Sequence, residues 1–321
     1  MTHTEKPPGN SAEPPVQEDC TTVAERVRAA IAVRSLSQNT AAREIGISPS
    51  ALSRFLSGTY GADDRVVATK AAAWLELIDQ RDKLPAGMTA AARFVRTPTS
   101  DQIMGALEYA QLIGDLVLVS GVPGVGKTTA MKHYRDARTN VWLATMSPDT
   151  KTPVPMLVEI GISLGLRSLG GGAAKMRRDI SERIRDTGGL LILDEAQHLG
   201  AEALETARRI FDGTGVGLVY AGDDKLWEKV SAFPQLSSRI GKRVTITTTS
   251  SADITALTAA LGIEGGDERK FLGQIARTHS GLRSIAKTQR LGQLYADGEG
   301  KPLSIEHLRT AWANLNLGPV A

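Results

Sequence analysis

Apolar and polar positions follow two different periods along this chain. Short uninterrupted apolar runs occur at Asp115–Ser120 (DLVLVS), Val141–Met146 (VWLATM), Leu190–Glu195 (LLILDE), Val216–Ala221 (VGLVYA) and Arg243–Thr247 (RVTIT). Rich in β-branched residues and lacking alternation, they read as strands buried on both faces of a parallel sheet. Segments of helical period stand between them: Asp101–Leu112, Thr129–Ala137, Val154–Leu166, Ala173–Arg185 and Ala201–Phe211. Strands alternating with helices predict an α/β core over residues 101–249, a doubly wound parallel sheet of about five strands. Such a sheet binds ligands at the C-terminal ends of its strands. Residues 250–321 carry no strand pattern, and Ser251–Leu317 reads as about four helices, a lid-like C-terminal domain.

Before residue 101 the pattern is helical. Residues 1–20, with Pro7, Pro8, Pro14 and Pro15 among polar residues, predict a disordered tail. Residues 21–83 predict an all-helical domain in which Val23, Val27, Ala30 and Ile31 recur at helical spacing. Within it, Thr40–Gly58 reads as a helix, a turn at Gly46 and a second helix. Ser48 is an N-cap, Pro49 occupies the first helical position, and Gly58 ends the helix. Ala42, Ile45, Ile47, Leu52, Phe55 and Leu56 supply the shared core of a helix-turn-helix. Ser50, Ser53 and Arg54 then project from the second helix toward DNA, or the module packs against another surface. Residues 22–83 hold nine basic and seven acidic residues, which does not separate the two. Residues 84–100, with Pro85, Gly87 and Pro98, read as a linker.

Composition adds bounds rather than identity. Among 321 residues 41% are hydrophobic and 23% charged, as in soluble globular proteins. No apolar run approaches membrane-span length, and the N-terminus lacks the apolar core of a signal peptide. Cys20 is the only cysteine, so no intrachain disulfide forms, which fits the reducing cytoplasm of a bacterial cell. The net charge of +3 is too small to indicate nucleic acid, so local distribution decides.

The chemistry centres on Gly121-Val122-Pro123-Gly124-Val125-Gly126-Lys127-Thr128 and the following Thr129, between a predicted strand and a predicted helix. This is the spacing of a phosphate-cradling loop. Backbone N–H groups and the helix N-terminus face the anion, and glycine permits close approach. Lys127 neutralises the β- and γ-phosphates of ATP, and the Thr128 hydroxyl ligates Mg2+. The run ending in Asp194-Glu195 delivers two carboxylates beside that loop. Asp194 holds Mg2+ through water, and Glu195 orients and activates the attacking water. One strand is predicted between the two motifs, an arrangement of hydrolysing ATPases rather than nucleotide kinases. Asp223 contacts the γ-phosphate or the water, or caps a helix. Arg239 is an arginine finger acting across a subunit boundary, or a surface ion pair. Arg283 reaches the γ-phosphate from the lid, or also forms an ion pair. Residues 130–190 hold ten Lys/Arg, Lys151 among them, against six acidic residues. Lys175, Arg177 and Arg178 follow Gly170-Gly171-Gly172 and can track a phosphate backbone, or form a solvated helix face.

The order helix-turn-helix, linker, ATPase core and helical lid resembles the AAA+ ATPases that select target DNA for transposition, those of Mu-like transposing phages in particular. The resemblance is carried by the helix-turn-helix with Gly58 to Val66 behind it, Gly121 to Thr128 and Asn140-Val141-Trp142. Leu193 to Glu202, Gln235 to Ile240 and Gly281-Leu282-Arg283 carry it further. It implies ATP-dependent, largely sequence-independent binding of double-stranded DNA and self-assembly into a helical filament. It also implies delivery of DNA to a transposase that stimulates hydrolysis. One position departs: the residue after Gly222 is Asn in that family and Asp223 here. A carboxylate there repels the γ-phosphate unless protonated or turned toward a cation. A helicase loader or initiator ATPase, an ATP-responsive helix-turn-helix regulator and an ATP-binding scaffold with negligible hydrolysis share these motifs.

Overall fold

The computed structural model describes residues 20–59, 64–83, 94–167, 169–278 and 280–315. The expected tail up to residue 19, residues 60–63, linker residues 84–93, Ser168, His279 and residues 316–321 lie outside that set. Two compact units emerge, Met1–Ala92 and Arg93–Ala321.

In the first unit four helices are described: α1 (Cys20–Val33), α2 (Gln38–Ile45), α3 (Pro49–Ser57) and α4 (Asp64–Lys83). The α2–α3 pair forms as its caps dictate. The Ser37 hydroxyl accepts from Thr40 N–H and Ser48 from Ala51 N–H, at 3.1 and 3.2 Å. Gly46 and Gly58 close the two helices with φ of 75° and 69°, a left-handed backbone that glycine adopts without strain. Ala42, Ile45, Leu52, Phe55 and Leu56 are buried as expected, joined by Val27, Trp74 and Leu75. Ser50, Ser53 and Arg54 are exposed on the outer face of α3.

The second unit is built on five strands, β1 (Leu116–Gly121), β2 (Val141–Thr145), β3 (Leu190–Asp194), β4 (Gly217–Gly222) and β5 (Ile240–Ile246). All pairings are parallel, in the order β2-β3-β4-β1-β5. Helices α5 (Pro98–Ile113) and α6 (Lys127–Ala137) cover one face; α7 (Pro153–Ser163), α8 (Gly172–Ile184) and α9 (Ala201–Asp212) cover the other. Strand alternation assigns the two faces. Val117 and Val119 meet Ile103, Leu107 and Met131, whereas Leu116 and Leu118 join the cluster of Leu157, Ile160 and Ile180. This is the predicted doubly wound core, with one refinement: the strand between β1 and β3 in the sheet is β4, and β2 is an edge.

Boundaries differ where local signals competed. α5 starts at Pro98, inside the expected linker, because Thr97 and Ser100 form a capping box with proline at the first turn. β5 starts at Ile240, three residues early. Its first residues are exposed edge positions without an apolar run, and the register slips at Gly241, where a Cβ would lie 1.7 Å from Asp115 Oδ2. The short helices α10 (Leu226–Ser231) and α11 (Pro234–Ser237) are too brief for a periodic signal.

Four C-terminal helices follow, α12 (Ser251–Ala260), α13 (Gly266–Thr278), α14 (Gly281–Glu299) and α15 (Ile305–Asn314). They pack around Ile254, Leu272, Ile275, Ile285 and Trp312. Asp253 ties them to the sheet domain. Its carboxylate is 1% exposed and accepts from Ser250 Oγ and N at 2.6 and 3.1 Å, and from Thr99 Oγ1 and N at 2.7 and 2.8 Å. One buried anion thus serves the N-termini of both α12 and α5. Burial pushes this carboxyl up, but the donors from Ser250 and Thr99 outweigh it and hold it below the usual range.

A depressed folded-state value means that the stabilisation is complete near neutral pH and is lost as pH falls below about 4. Asp253→Asn should cost about 3 kcal/mol in urea unfolding near neutral pH. Its gap to the natural protein should narrow as the melts are repeated toward about pH 3.

Candidate functional site

β1 lies inside the sheet between β4 and β5, and at its end the chain turns through residues 122–126 into α6. Gly121 is required because a Cβ would lie 2.6 Å from the Ile246 carbonyl oxygen. Gly124 has φ of 84°, and its Cβ would meet the Ser280 carbonyl oxygen at 1.7 Å. Gly126 enters α6 with φ of 98°. The first-turn N–H groups of α6 and its dipole face the space above the loop. Val125 is buried beneath the loop, while Thr129 is exposed on the first turn of α6.

Lys127 is 9% exposed, and its ammonium donates to the carbonyls of Gly121 at 2.6 Å and Val122 at 3.1 Å. Burial lowers its proton affinity, and the carboxylates of Glu195, Asp194 and Asp223 oppose that shift. Arg283 adds positive potential to the same point. Its backbone N–H donates to the Gly124 carbonyl at 3.3 Å, so the start of α14 rests on the loop.

The Thr128 hydroxyl donates to Asp194 Oδ2 at 2.7 Å. Asp194, 1% exposed, is the last residue of β3, and its Oδ1 accepts the Glu195 N–H at 2.9 Å. Burial pushes the Asp194 carboxyl up, and the bonds from Thr128 and Glu195 pull it back. Glu195 lies just past the strand with φ of 57°, a left-handed conformation that costs a non-glycine residue about 1 kcal/mol. Gln197 accounts for part of its placement: the side-chain amide donates to Glu195 Oε2 at 2.5 Å. Sequence reasoning missed Gln197. Its only local signal is its place two residues beyond Glu195, which marks no chemistry by itself.

Asp223 follows β4 on the same edge of the sheet. Its N–H donates to Gln197 Oε1 at 3.2 Å, and its Oδ1 accepts from Lys225 N–H at 3.1 Å, closing the turn into α10. Lys127, Thr128, Asp194, Glu195, Asp223 and Arg283 are therefore brought together. Arg239 is not. Ile240 pairs with Leu116 at the start of β1, five residues and about 17 Å from Gly121. Arg239 is largely exposed there, 4.0 Å from Asp212 Oδ1.

Two clefts flank these elements. Val122, Pro123, Thr248, Ala276, Arg277 and Gly281 line a polar one of about 460 Å³ between the loop and the C-terminal helices. That volume suits a nucleotide-sized ligand. The other, about 520 Å³ and mostly apolar, lies under Phe233 and Leu236. Its charged lining groups are Glu202 and Glu205, which repel a phosphate.

The basic candidates lie elsewhere. On α8, Lys175 and Arg178 are exposed and Arg177 is half-buried, and Lys175 pairs with Asp179 at 2.6 Å. Lys151, exposed between β2 and α7, sits beside the segment that follows Glu195, where its carbonyl accepts the Gly200 N–H at 2.8 Å. Ser50, Ser53 and Arg54 belong to the first unit.

Residues 114–230 match the AAA domain family, and residues 238–315 match the family described as Mu B transposition protein, C terminal. The ATP-dependent target DNA activator B of Escherichia phage Mu is 34% identical over 282 residues, covering 86% of this chain and 89% of that protein. Mu-like prophage FluMu DNA transposition protein B of Haemophilus influenzae is 36% identical over 263 residues, covering 79% and 90%. Among solved structures, Cdc6p of Pyrobaculum aerophilum superposes with a TM-score of 0.55 at 16% identity, over 70% of this chain and 69% of that one, a likeness of fold. The phosphate loop, the acidic pair and both family matches converge: the chain is an AAA+ P-loop ATPase that belongs to the Mu B transposition protein family.

Proposed function

We propose that this chain hydrolyses ATP and, in its ATP-bound state, binds double-stranded target DNA, assembles with copies of itself and presents that DNA to a transposase. The observation that carries this reading is the cluster of buried Lys127 and Asp194 with half-buried Thr128 and Glu195 at the C-terminal ends of β1 and β3. It stands beside relatives whose names describe an ATP-dependent target DNA activator.

The donor set suits the ligand. Lys127 is held on two carbonyls, weak partners for an ammonium, and moves to the β- and γ-phosphates when they enter. The backbone N–H groups of residues 124–126 and of Thr128 and Thr129 cradle the phosphates, while the Val122 N–H is donated to the Ile246 carbonyl at 3.0 Å. Thr128 and Asp194 offer a hydroxyl and a carboxylate, the hard oxygen donors that Mg2+ takes in nucleotide sites. When bound, Mg2+ neutralises charge on the phosphate oxygens. Glu195 accepts the proton of the attacking water and orients it. Arg283 stabilises the γ-phosphate from α14. Asp223 is held by its own turn, which keeps its carboxylate directed at Lys225 N–H rather than at phosphate.

Arg239 stands just before β5, at the end of the strand away from its own loop, so it acts as the arginine finger of a neighbouring copy. ATP between copies thereby controls assembly. Lys151, Lys175, Arg177 and Arg178 contact DNA phosphates without reading sequence. Ser50, Ser53 and Arg54 form the outer face of a helix-turn-helix that also meets the duplex. The work takes place in the cytoplasm of a bacterial host; among the described residues no helix is long and apolar enough to cross a membrane.

Lys127→Ala should weaken ATP binding about 100-fold, or roughly 3 kcal/mol, and remove ATP-dependent duplex binding in fluorescence anisotropy. ATP-dependent binding that survives this change would refute the assignment of the loop. Glu195→Gln should keep ATP-dependent binding while phosphate release falls by about 100-fold or more, giving longer-lived assemblies. Unchanged turnover would remove Glu195 from the chemistry.

A further inference from the structure

β5, seven residues long, is the longest of the five strands and stands at the edge of the sheet, bonded only to β1. In a parallel ladder each residue sends its N–H and C=O to the same side, and successive residues alternate sides. The Val122 N–H donates to the Ile246 carbonyl at 3.0 Å, so Ile246 faces β1, and with it Val244 and Lys242. Arg243 and Thr245 therefore turn their N–H and C=O groups outward. Both residues are exposed, and among the described residues no hydrogen bond from another element reaches their backbone. Such a row of unpaired groups is a template for another strand unless something guards it. β5 holds no proline, and its bulge near Gly241 comes before the outward pair. Basic side chains commonly guard an edge, but Lys242 and Arg243 are folded back onto the two faces of the sheet. Lys242 Nζ lies 5.1 Å from the centre of the Tyr109 ring, and Arg243 Cζ lies 4.4 Å from that of Trp227, which packs on the opposite face. Neither cation forms an ion pair among the described residues.

We propose that the outer edge of β5 is a docking site for an extended, acidic segment of a partner protein, which adds to the sheet as a sixth strand. The N–H and C=O groups of Arg243 and Thr245 supply the backbone bonds and set the register. Charge selects the occupant. One unneutralised cation lies on each face beside the outward pair, so carboxylates are attracted and a basic segment is repelled. Successive side chains of a strand point to opposite faces, so two consecutive acids in the occupant meet Lys242 and Arg243 together. Contacts of exposed cations with aromatic rings are weak, and both side chains swing from their rings to a carboxylate at small cost. Duplex phosphates would meet the same cations but would leave the backbone row unpaired. β5 runs directly into Thr247 and Thr248, which line the polar cleft, so the docking edge and that cleft are contiguous. The inference goes beyond the proposed ATPase and DNA activities and depends on neither.

The probe is a fluorescein-labelled peptide as long as β5, built of Val and Thr with Glu-Glu at its centre, and titrated against the full chain in fluorescence anisotropy. A peptide with Lys-Lys at its centre should bind at least about tenfold more weakly, and the Lys242→Met/Arg243→Met double variant should weaken the acidic peptide by about tenfold. Methylating alternate backbone nitrogens of the peptide tests the strand geometry on the natural protein, with no question of folding. One of the two alternate sets should abolish binding and the other should be tolerated, because only one set faces β5. Hydrogen exchange read at single amides gives a separate measure: the peptide should slow exchange at Arg243 and Thr245, while Lys242 and Val244, already bonded to β1, change little. Equal affinity for the Glu-Glu and Lys-Lys peptides, an equal response to the two methylated sets, or unchanged exchange at Arg243 and Thr245 would overturn the proposal. Slow exchange at those two amides that grows with protein concentration, without peptide, would assign the edge to a second copy and overturn it too. So would a double variant that loses duplex affinity while keeping its affinity for the peptide, since the cations would then serve DNA.

Discussion

A single half-buried hydrogen bond, from Thr128 Oγ1 to Asp194 Oδ2, joins the start of α6 to the end of β3 across the width of β4. Everything at the nucleotide site depends on that closure. The two residues are 66 positions apart, and neither β1 nor β3 touches the other in the sheet. Burying Asp194 and Lys127 together is unfavourable by itself, and the cost is offset only because each has hydrogen-bond partners and the opposite charge nearby. Such a cluster adds little net stability but fixes geometry. The loop, its lysine and the oxygen atoms of Thr128 and Asp194 are assembled before any ligand arrives, which reduces the reorganisation that binding requires.

The second constraint is the seam between the sheet domain and the C-terminal helices. At one end Asp253 bonds the first turns of α5 and α12. At the other the loop at Gly124 lies against Ser280 and accepts from the Arg283 N–H. The polar cleft lies along this seam, bounded by Val122 and Pro123 on one side and Ala276 and Arg277 on the other. A ligand filling it touches both domains at once, so its presence bears on how the C-terminal helices sit against the loop. α14 carries Arg283 directly into that contact.

What the amino-acid sequence revealed follows from how local each signal is. The phosphate loop was readable because its chemistry and its glycines are contiguous. The five apolar runs were readable because strands buried on both faces need no alternation. The helix-turn-helix declared itself through Ser48, Pro49 and Gly58. Features that depend on distant partners stayed hidden. Asp253 looks like an ordinary first-turn acid until Thr99, 154 residues earlier, is seen to donate to it. Gln197 looks like a loop residue until β4 delivers the Asp223 N–H. The exposed start of β5 carries no apolar signature, because an edge strand needs none on its outer positions. Arg239 was visible as a candidate, but only the register of β5 against β1 removes it from its own loop.

The central claim is that nucleotide state governs engagement with DNA. The most direct measurement is electron microscopy of the purified protein with linear duplex DNA under ATP, ADP and no nucleotide. Assemblies coating the duplex with ATP, and bare DNA in the other two conditions, are the predicted result. Equal coating in all three conditions, or a monomer throughout, would contradict the account.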